Sequence, residues 1–439
     1  MKSFLDAINE KILVYDGSKG YLLQKLGLKG GECGELWNLT DREAVGNVYR
    51  QYREAGAHVI QTNTFTGNRI QLDKYSLGDK TYEINYWGTR LAREVAGMDR
   101  YVAASIGPTG ILFEPSGELT FEQAYDIFKE QVEAVVAGGA DVINFETFTD
   151  VAEMRAALLA ARENSGLPVI CSMAFEANGR TLMGTDPLTA VAILKSLGAD
   201  MVGTNCSFGA AHMLEIVKAM HAAGGGYLSA KPNAGLPEVV DGEVCYNETV
   251  EDFASVASGF VKYGARLIGG CCGTTPEFIK AVGRALEKLT PEPAEIKLKR
   301  VITSGTKYLE VDALAGSDIG RLDAGSDSAL LAELNKGNLS YVEDAVLDLS
   351  TEGHDAVYIN VDAAEDGVYL QKVVNIAQSY IRVPLIIESA KPAELEKALR
   401  IYKGVAGAVV ANAPEALGEE LMKPVKRYGG VILDKIERY

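Results

Sequence analysis

Short apolar runs alternate with longer segments of helical periodicity over roughly the first two thirds of the chain. The runs are rich in valine and isoleucine and predict strands, whereas the stretch FEQAYDIFKEQVEAVVAGG at 121–139 is typical of the amphipathic helices between them. Eight such βα units predict an α/β fold of the (β/α)₈ or TIM-barrel type, with an open doubly wound sheet as the alternative. The predicted strands are 12–17, 58–65, 101–108, 141–148, 168–175, 201–208, 227–234 and 266–273.

Polar and reactive side chains gather at the carboxyl ends of these runs, which favours the barrel. Barrel enzymes build their active sites at that face, where several strand ends converge. The simpler interpretation is that polar residues mark the points where strands stop. The residues concerned are Asp16, Asn63, Glu146, Cys206, Asn233, Cys271 and Cys272.

The pattern divides the chain into two domains, residues 1–287 and residues 301–439. The segment between them, 288–300, reads as a linker because it follows a helix and combines two prolines with alternating charge. The second domain repeats the βα alternation but is too short for another complete barrel. We expect a small α/β domain that resembles half of a second barrel, with strands at 356–362, 383–389, 406–413 and 429–435.

Charge and composition narrow the classes of partner. The chain has 439 residues, of which 60 are acidic and 43 are basic, and its formal charge is −17. This balance argues against nucleic acid or an anionic membrane surface as the main partner. The first residues carry charges throughout, and no apolar run approaches the roughly 18 residues needed to cross a bilayer. The expected compartment is the cytoplasm, where a disulfide framework is not expected.

Two of the six cysteines are adjacent, in RLIGGCCGTTPEFI at 266–279. In a regular strand their side chains would point to opposite faces, but the surrounding glycines allow a turn that brings both sulfurs to one centre. Cys206 in GTNCSFG offers a third thiol at the end of the sixth run. Three thiolates with a fourth position left open form the catalytic type of zinc site. Core packing of Cys206 and a strained disulfide between Cys271 and Cys272 are the alternatives.

These two motifs together resemble the signature of the zinc-dependent homocysteine S-methyltransferase family, which includes the N-terminal module of cobalamin-dependent methionine synthase. VYDGSKG, IQTNTFTGN, SIGPTG, FETFTD, GTDP and KPNAGLP follow in family order between about residues 10 and 287. The resemblance implies that Cys206, Cys271 and Cys272 bind Zn²⁺. It also implies that Asp16 and Glu146 lie near the amino group of homocysteine.

The residues themselves leave other roles open for the predicted substrate-binding positions. Glu146 suits a substrate ammonium but is also an ordinary strand-end carboxylate, and Asp16 alone would be read as a turn residue. Asn63 and Asn233 are candidate hydrogen-bonding residues that turn chemistry explains equally well. The stretch DGSKGYLLQ departs from the family pattern, and Lys19 there is expected to affect how the substrate carboxylate or the methyl donor is received.

The expected reaction is methyl transfer to the homocysteine thiol, giving methionine. No Asp-x-His-x-x-Gly stretch typical of corrinoid binding occurs in the chain, so cobalamin would arrive on a separate methylcorrinoid protein. The alternatives are S-methylmethionine or betaine as the donor, another small thiol as the substrate, and a non-catalytic zinc-bearing scaffold subunit of a methyl-transfer complex.

The second domain faintly resembles the first half of the pterin-binding barrel that follows the homocysteine module in methionine synthases. Asn360 and Asn412 match positions used there for pterin, but the opening motif of that domain is replaced by YLEVDALAGSDIG. A degenerate domain that stabilises the barrel, docks a partner or forms a homodimer is the simpler expectation.

Overall fold

The computed structural model describes residues 2–114, 116–240, 243–291, 297–365, 369–410 and 415–433. The chain divides into two compact units: residues 1–182 with 199–297, and residues 183–198 with 298–439. Residues 183–198, which the sequence pattern assigns to the first domain, are part of the second unit. The predicted linker is described in part, because residues 292–296 lie outside the described ranges.

A nearly closed barrel of eight parallel strands forms the first unit, within its described residues. The strand order is β1-β10-β7-β6-β5-β4-β3-β2, and a bridge between Tyr15 and Val59 joins the first strand to the last. This confirms the predicted barrel. The strands of the unit are β1 (Leu13–Val14), β2 (Val59–Gln61), β3 (Tyr101–Ile106), β4 (Val142–Phe148), β5 (Val169–Met173), β6 (Met201–Asn205), β7 (Leu228–Lys231), the antiparallel pair β8 (Pro237–Val240) and β9 (Glu243–Tyr246), and β10 (Ala265–Ile268).

Helices follow the strands as the periodicity predicts. The N-cap residues are mostly those expected, and Thr120 with Gln123 forms a capping box at the start of the longest helix. Short 3₁₀ helices span Gly34–Leu36 and Gly78–Lys80. The α-helices are α1 (Phe4–Glu10), α2 (Lys19–Lys25), α3 (Trp37–Thr40), α4 (Arg42–Glu54), α5 (Arg69–Asp73), α6 (Thr81–Ala96), α7 (Phe121–Gly138), α8 (Val151–Asn164), α9 (Pro187–Ser196, in the second unit), α10 (Ala210–Ala222), α11 (Val250–Ser255), α12 (Ala257–Lys262) and α13 (Pro276–Leu286).

The amino-terminal end of the barrel is apolar, which leaves the carboxyl end for chemistry. Phe4, Ala7 and Ile8 of α1 pack against buried strand residues such as Leu13 and Met201. Burial of this apolar surface stabilises the barrel at about 25 cal/mol per Å². Helix α1 therefore closes one end, and the polar strand ends lie at the other.

The second unit is a smaller α/β domain built on a five-stranded parallel sheet, counted within its described residues. Its strands neighbour one another in chain order, and an antiparallel pair precedes them. Helix α9 belongs to this unit, where Thr185 Oγ1 donates to the carbonyl oxygen of Gly305 at 2.6 Å. The remaining elements are β11 (Val301–Thr303), β12 (Tyr308–Glu310), a 3₁₀ helix (Val311–Gly316), β13 (Ile319–Asp323), α14 (Ser328–Asn335), α15 (Leu339–Thr351), β14 (Ala356–Asn360), α16 (Leu370–Tyr380), β15 (Leu385–Glu388), α17 (Pro392–Ile401), β16 (Gly407–Val409), α18 (Glu415–Arg427) and β17 (Val431–Leu433).

Candidate metal and substrate site

Three thiols meet at the carboxyl end of the barrel strands. Cys206 directly follows β6, and Cys271 and Cys272 lie in the turn after β10. Their Sγ atoms all lie within 4.8 Å of one another, and the distance between Cys206 Sγ and Cys272 Sγ is 3.9 Å. Each of the three residues is partly buried. The structure thus brings together sulfurs from two distant parts of the sequence.

Cys206 adopts a backbone conformation that directs its thiol toward the other two. Its φ angle is +65°, as is that of Ser207, a left-handed conformation that costs a non-glycine residue about 1–3 kcal/mol. The turn is held by Cys206 N, which donates to Lys231 O at 3.1 Å, and by Phe208 N, which donates to Cys206 O at 2.8 Å. Strain of this kind is typical of functional sites.

The adjacent pair is held by the segment after β7 and by glycines. Cys271 N donates to Pro232 O at 2.8 Å, and Cys272 N donates to Asn233 Oδ1 at 3.1 Å. Gly273 has a φ of +77°, and a Cβ atom there would lie 2.3 Å from the ring of Tyr246. The glycine-rich context therefore supplies a left-handed turn and a close approach that other residues do not tolerate.

The three thiols shift one another's pKa values. Hydrogen bonds from Cys271 and Cys272 lower the pKa of Cys206 to about 3. The hydrogen bond with Cys206, together with burial, raises the pKa of Cys271 to about 11, and the pKa of Cys272 rises for the same reasons. Like charges this close together oppose the ionisation of all three thiols, and a bound cation would favour it.

The spacing and chemistry of the donors fit zinc. Zn–S bonds of about 2.3 Å in a tetrahedron separate two sulfurs by about 3.8 Å, close to the distance between Cys206 Sγ and Cys272 Sγ. A disulfide would need about 2.05 Å. Among the described residues, this trio is the one group of three or more His, Cys, Asp or Glu side chains close enough to share an ion.

Side chains that were not predicted surround the thiols. Asn205 Nδ2 donates to Thr147 Oγ1 at 2.7 Å and to Cys271 Sγ at 3.7 Å. Tyr246 at the end of β9 hydrogen-bonds Cys272, and burial next to that thiol raises the pKa of its hydroxyl. Asn205 was identifiable because it precedes Cys206 in the motif. Tyr246 was not, since nothing in its local sequence indicates that β9 reaches the thiols.

The predicted acids Glu146 and Asp16 belong to one network, which we call the charged row: Lys19, Asp16, Gln61, Lys231 and Glu146. Lys19 Nζ donates to Asp16 Oδ1 at 2.9 Å, and Gln61 Nε2 donates to the same oxygen at 3.0 Å. Gln61 Oε1 accepts from Lys231 Nζ at 2.7 Å, and Lys231 also contacts the Glu146 carboxylate. Burial raises the pKa of Asp16, while Lys19 and Gln61 oppose that rise.

Both predicted asparagines are buried and hydrogen-bonded. Asn233 lies beside the thiols, with its side chain bonded to Cys272 N and to Cys206. Asn63 donates to Gly34 O at 2.9 Å and to Asn38 Oδ1 at 3.1 Å. Its substrate-binding role stays a prediction, because these contacts also account for its burial.

Three of the four histidines contact groups other than the three thiols. His58 Nδ1 accepts from Val14 N at 3.1 Å, and burial lowers the pKa of His58 to about 4. The ring of His212 lies 4.2 Å from that of Phe208, and His354 contacts Asp318 and Glu352.

Within the described ranges, no helix has the length and apolar character to span a bilayer.

The fold and the thiol cluster together define a class of protein, a (β/α)₈-barrel enzyme with a three-cysteine centre at the carboxyl ends of its strands. The chain belongs to the homocysteine S-methyltransferase family, whose model matches residues 13–286. This confirms the family resemblance that the two cysteine motifs indicate. Residues 13–286, which hold the barrel and the three thiols, are thus the part of the chain that defines its family.

The chain is similar in sequence to two methionine synthases and in fold to a solved methyltransferase structure. The chain is 27% identical to a methionine synthase of Mycobacterium tuberculosis over 461 residues, covering 98% of this chain and 38% of that protein. A methionine synthase of Mycobacterium leprae is 33% identical over 304 residues, covering 65% and 25%. The metallated form of the homocysteine methyltransferase MmuM from Escherichia coli shares 22% identity and a TM-score of 0.53, covering 62% of this chain and 96% of that chain. The chain thus spans well under half of the length of the two methionine synthases.

Proposed function

We propose that the chain transfers a methyl group to the thiol of homocysteine with the help of a zinc ion bound by Cys206, Cys271 and Cys272. The convergence of these three thiols within 4.8 Å is the observation that carries the proposal. Membership of the homocysteine S-methyltransferase family supports the substrate. The product would be methionine.

A substrate thiol needs help to react at neutral pH. A free thiol has a pKa near 8.5, so only a few per cent is thiolate, and the thiolate is the nucleophile. A zinc ion held by Cys206, Cys271 and Cys272 would supply Lewis-acid chemistry that lowers the pKa of the substrate thiol and favours its thiolate. The protein would contribute three anionic sulfurs, held in place by the strained turn at Cys206 and the glycine turn after Cys272.

The residues around the thiols would orient the metal ligands and the substrate. Asn205 donates toward Cys271, and Asn233 bonds the backbone of Cys272, so both fix thiol directions. Glu146 would accept the substrate ammonium, since its carboxylate keeps a small exposed fraction beside its contacts with Ser105 and Lys231. Asp16 would act on the same ammonium from the buried part of the charged row, and Asn63 would hydrogen-bond the substrate.

We propose a methylcorrinoid carried by a separate protein as the methyl donor. The chain aligns with part of two methionine synthases and has no corrinoid-binding motif of its own. The domain predicted at residues 301–439, beyond the linker at 288–300, makes up most of the second unit. It would be a degenerate pterin-binding-like domain that docks a partner or forms a dimer. Asn360 there bonds Tyr358 and Asp362, whereas Asn412 lies outside the described residues.

Metal analysis tests the proposal directly. The purified protein is expected to hold one zinc per chain, and Cys206→Ala, Cys271→Ala and Cys272→Ala are each expected to lose it, because two thiols do not complete the site. Addition of homocysteine to the zinc form should release about one proton at neutral pH. Cys245→Ser is the control, since Cys245 is exposed and outside the trio. Full zinc retention in all three alanine variants would exclude the proposal.

A further inference from the structure

The charged members of the row alternate in sign, and of these only the two end members keep any solvent exposure. Its inner members, Asp16 and Lys231, have side chains with 0% exposure, whereas its end members, Lys19 and Glu146, keep 11% and 8%. The inner charges are therefore compensated within the protein. A ligand that arrives from solvent meets one positive end, Lys19, and one negative end, Glu146.

Lys19 is coupled to the turn that carries two of the thiols. The backbone before it bonds that turn at two points: Gly270 N donates to Asp16 O at 3.1 Å, and Ser18 N donates to Thr274 O at 3.1 Å. The hydroxyl of Tyr52 bonds the carbonyl oxygens of both Ser18 and Thr274, each at 2.9 Å. The position of Lys19 relative to the thiols is thus fixed by hydrogen bonds through the backbone.

The ammonium of Lys19 has the donors that a carboxylate requires. It carries three N–H groups, and Asp16 Oδ1 and Gly17 O accept two of them, at 2.9 and 3.1 Å. The second contact is to a neutral carbonyl, which a carboxylate outcompetes because charge-assisted hydrogen bonds are about twice as strong as neutral ones. Lys19 can therefore bind an anion while it keeps its contact with Asp16.

We propose that Lys19 is a specificity-determining residue that binds the α-carboxylate of the amino-acid thiol, while Glu146 binds the α-ammonium and the thiol lies at the cysteine cluster. This inference rests on the proposed function and adds the recognition of the head group. Homocysteine carries one group of each sign, and the two ends of the row that keep solvent exposure are of opposite sign. Thiols that lack either charge would leave one end unpaired and bind more weakly.

Three thiols separate the two ends experimentally. Homocysteine has both charges, 4-mercaptobutanoate lacks the ammonium, and 3-aminopropane-1-thiol lacks the carboxylate. Calorimetry with the zinc-loaded full chain measures the Kd of each for the wild type and for Lys19→Met. We expect Lys19→Met to weaken homocysteine and 4-mercaptobutanoate by about tenfold, the value of one charge-assisted hydrogen bond. The affinity for 3-aminopropane-1-thiol should change by less than about twofold.

Two further variants make the test specific. Lys25→Met removes the same charge from the other end of the same helix, where Lys25 lies over the ring of Tyr21, and should leave all three affinities unchanged. Lys19→Arg keeps the charge and should retain the preference for the carboxylate-bearing thiols. Equal weakening of all three thiols in Lys19→Met, or no weakening, would overturn the inference. A zinc-loaded wild type that binds none of them would instead remove the proposed function, and this inference with it.

Discussion

Gly273 is required by two independent features of the turn that carries the adjacent thiols. Its φ of +77° is unfavourable for residues with a Cβ atom, and that atom would overlap the ring of Tyr246 at 2.3 Å. Gly273→Ala is therefore expected to lower the free energy of unfolding by about 1–3 kcal/mol and to weaken zinc binding. Chemical denaturation and competitive zinc titration measure the two effects.

Gly283→Ala is the matched control for this change. Gly283 lies inside α13, where a Cβ atom would meet nothing within 4 Å. Alanine is the better helix former, so this variant should gain about 0.5–1 kcal/mol of stability and keep its zinc affinity. A Gly273→Ala protein that matches the wild type in both measurements would show that the turn tolerates a side chain.

Lys231 and Glu146 form a buried ion pair whose loss on one side should be costly. Lys231→Met leaves the Glu146 carboxylate buried without its cation, and we expect a loss of about 3–5 kcal/mol in the free energy of unfolding. The double variant Lys231→Met with Glu146→Gln removes both charges and should recover most of that loss. Urea denaturation of the two single variants and the double variant gives the coupling.

The exposed pair Lys218–Glu215 provides the comparison for this cycle. The side chains of Lys218 and Glu215 keep 36% and 64% exposure, so Lys218→Met should change the unfolding midpoint far less than Lys231→Met. If the double variant were no more stable than Lys231→Met alone, the loss would come from Lys231's other contacts, with Gln61 and over the ring of Tyr15, and not from its charge pair with Glu146.

At the residue scale, the cysteine trio could be predicted because its chemistry is explicit in the sequence. Clustered cysteines that do not follow the spacing of a disulfide framework more often bind metal or take part in chemistry. Lys231 could not be assigned a role, since a lysine at a strand end usually reaches solvent. Its burial depends on Glu146 and Gln61, which lie far away in the sequence and become neighbours only when the barrel closes.

At the element scale, His58 connects the strands where the barrel closes. His58 Nδ1 accepts from Val14 N, and His58 N donates to Val14 O at 2.8 Å. Protonation would replace that acceptor with a donor. The pKa of His58 is about 4 in the folded chain and about 6.5 when unfolded, so the unfolded chain takes up the proton first. Stability is therefore complete above pH 6.5 and falls between pH 6.5 and 4, by about 2–3 kcal/mol.

His58→Asn tests this pH dependence, because the amide oxygen can still accept from Val14 N but does not titrate in this range. Free energies of unfolding measured at several pH values between 7 and 4 should fall more steeply for the wild type than for the variant. The difference between the two curves isolates His58 from the other titrating groups. Parallel curves would mean that the neutral imidazole is not needed at this junction.

The hydrophobic pattern predicts strands correctly where the strand residues are fully buried. It fails where they are partly exposed. Seven of the eight barrel strands lie inside predicted runs, and β10 begins one residue before its run, at Ala265. The runs are recognisable because most of their residues are apolar and the strands are buried on both faces. Strand β13 was missed: it is an edge strand with the sequence IGRLD, in which burial alternates and a glycine and an arginine weaken the signal. The pair β8–β9 was missed for a similar reason, since it follows the KPNAGLP motif and reads as loop.

At the scale of the whole molecule, the division into units depends on long-range packing that periodicity does not contain. Helix α9 has the caps of an ordinary barrel helix, with Asp186 at the N-cap and Pro187 after it. Its sequence therefore assigns it to the barrel. Residues 183–198 nevertheless group with the second unit. In that unit, Gly429 lies close to the carbonyl group of Ser196. A glycine at 429 permits this approach, because a Cβ atom there would lie 2.6 Å from that oxygen.

Which methyl donor the chain accepts depends on the whole molecule, and the proposed function predicts which donor works. We therefore expect the zinc-loaded chain to form methionine from homocysteine with a methylated corrinoid protein, and slowly with free methylcobalamin. We expect none with S-methylmethionine or betaine. Chromatography of the product after incubation with each donor measures this.

The Cys272→Ala chain controls for methyl transfer that does not depend on the thiol site, and it should give no methionine with any donor. Methionine from S-methylmethionine at a rate equal to that from the corrinoid protein would assign the chain to the enzymes that use small sulfonium donors. Binding of homocysteine without product from any donor would favour a scaffold. These outcomes can be told apart because the thiol site activates only the homocysteine sulfur. The donor must reach that sulfur separately, from the open end of the barrel.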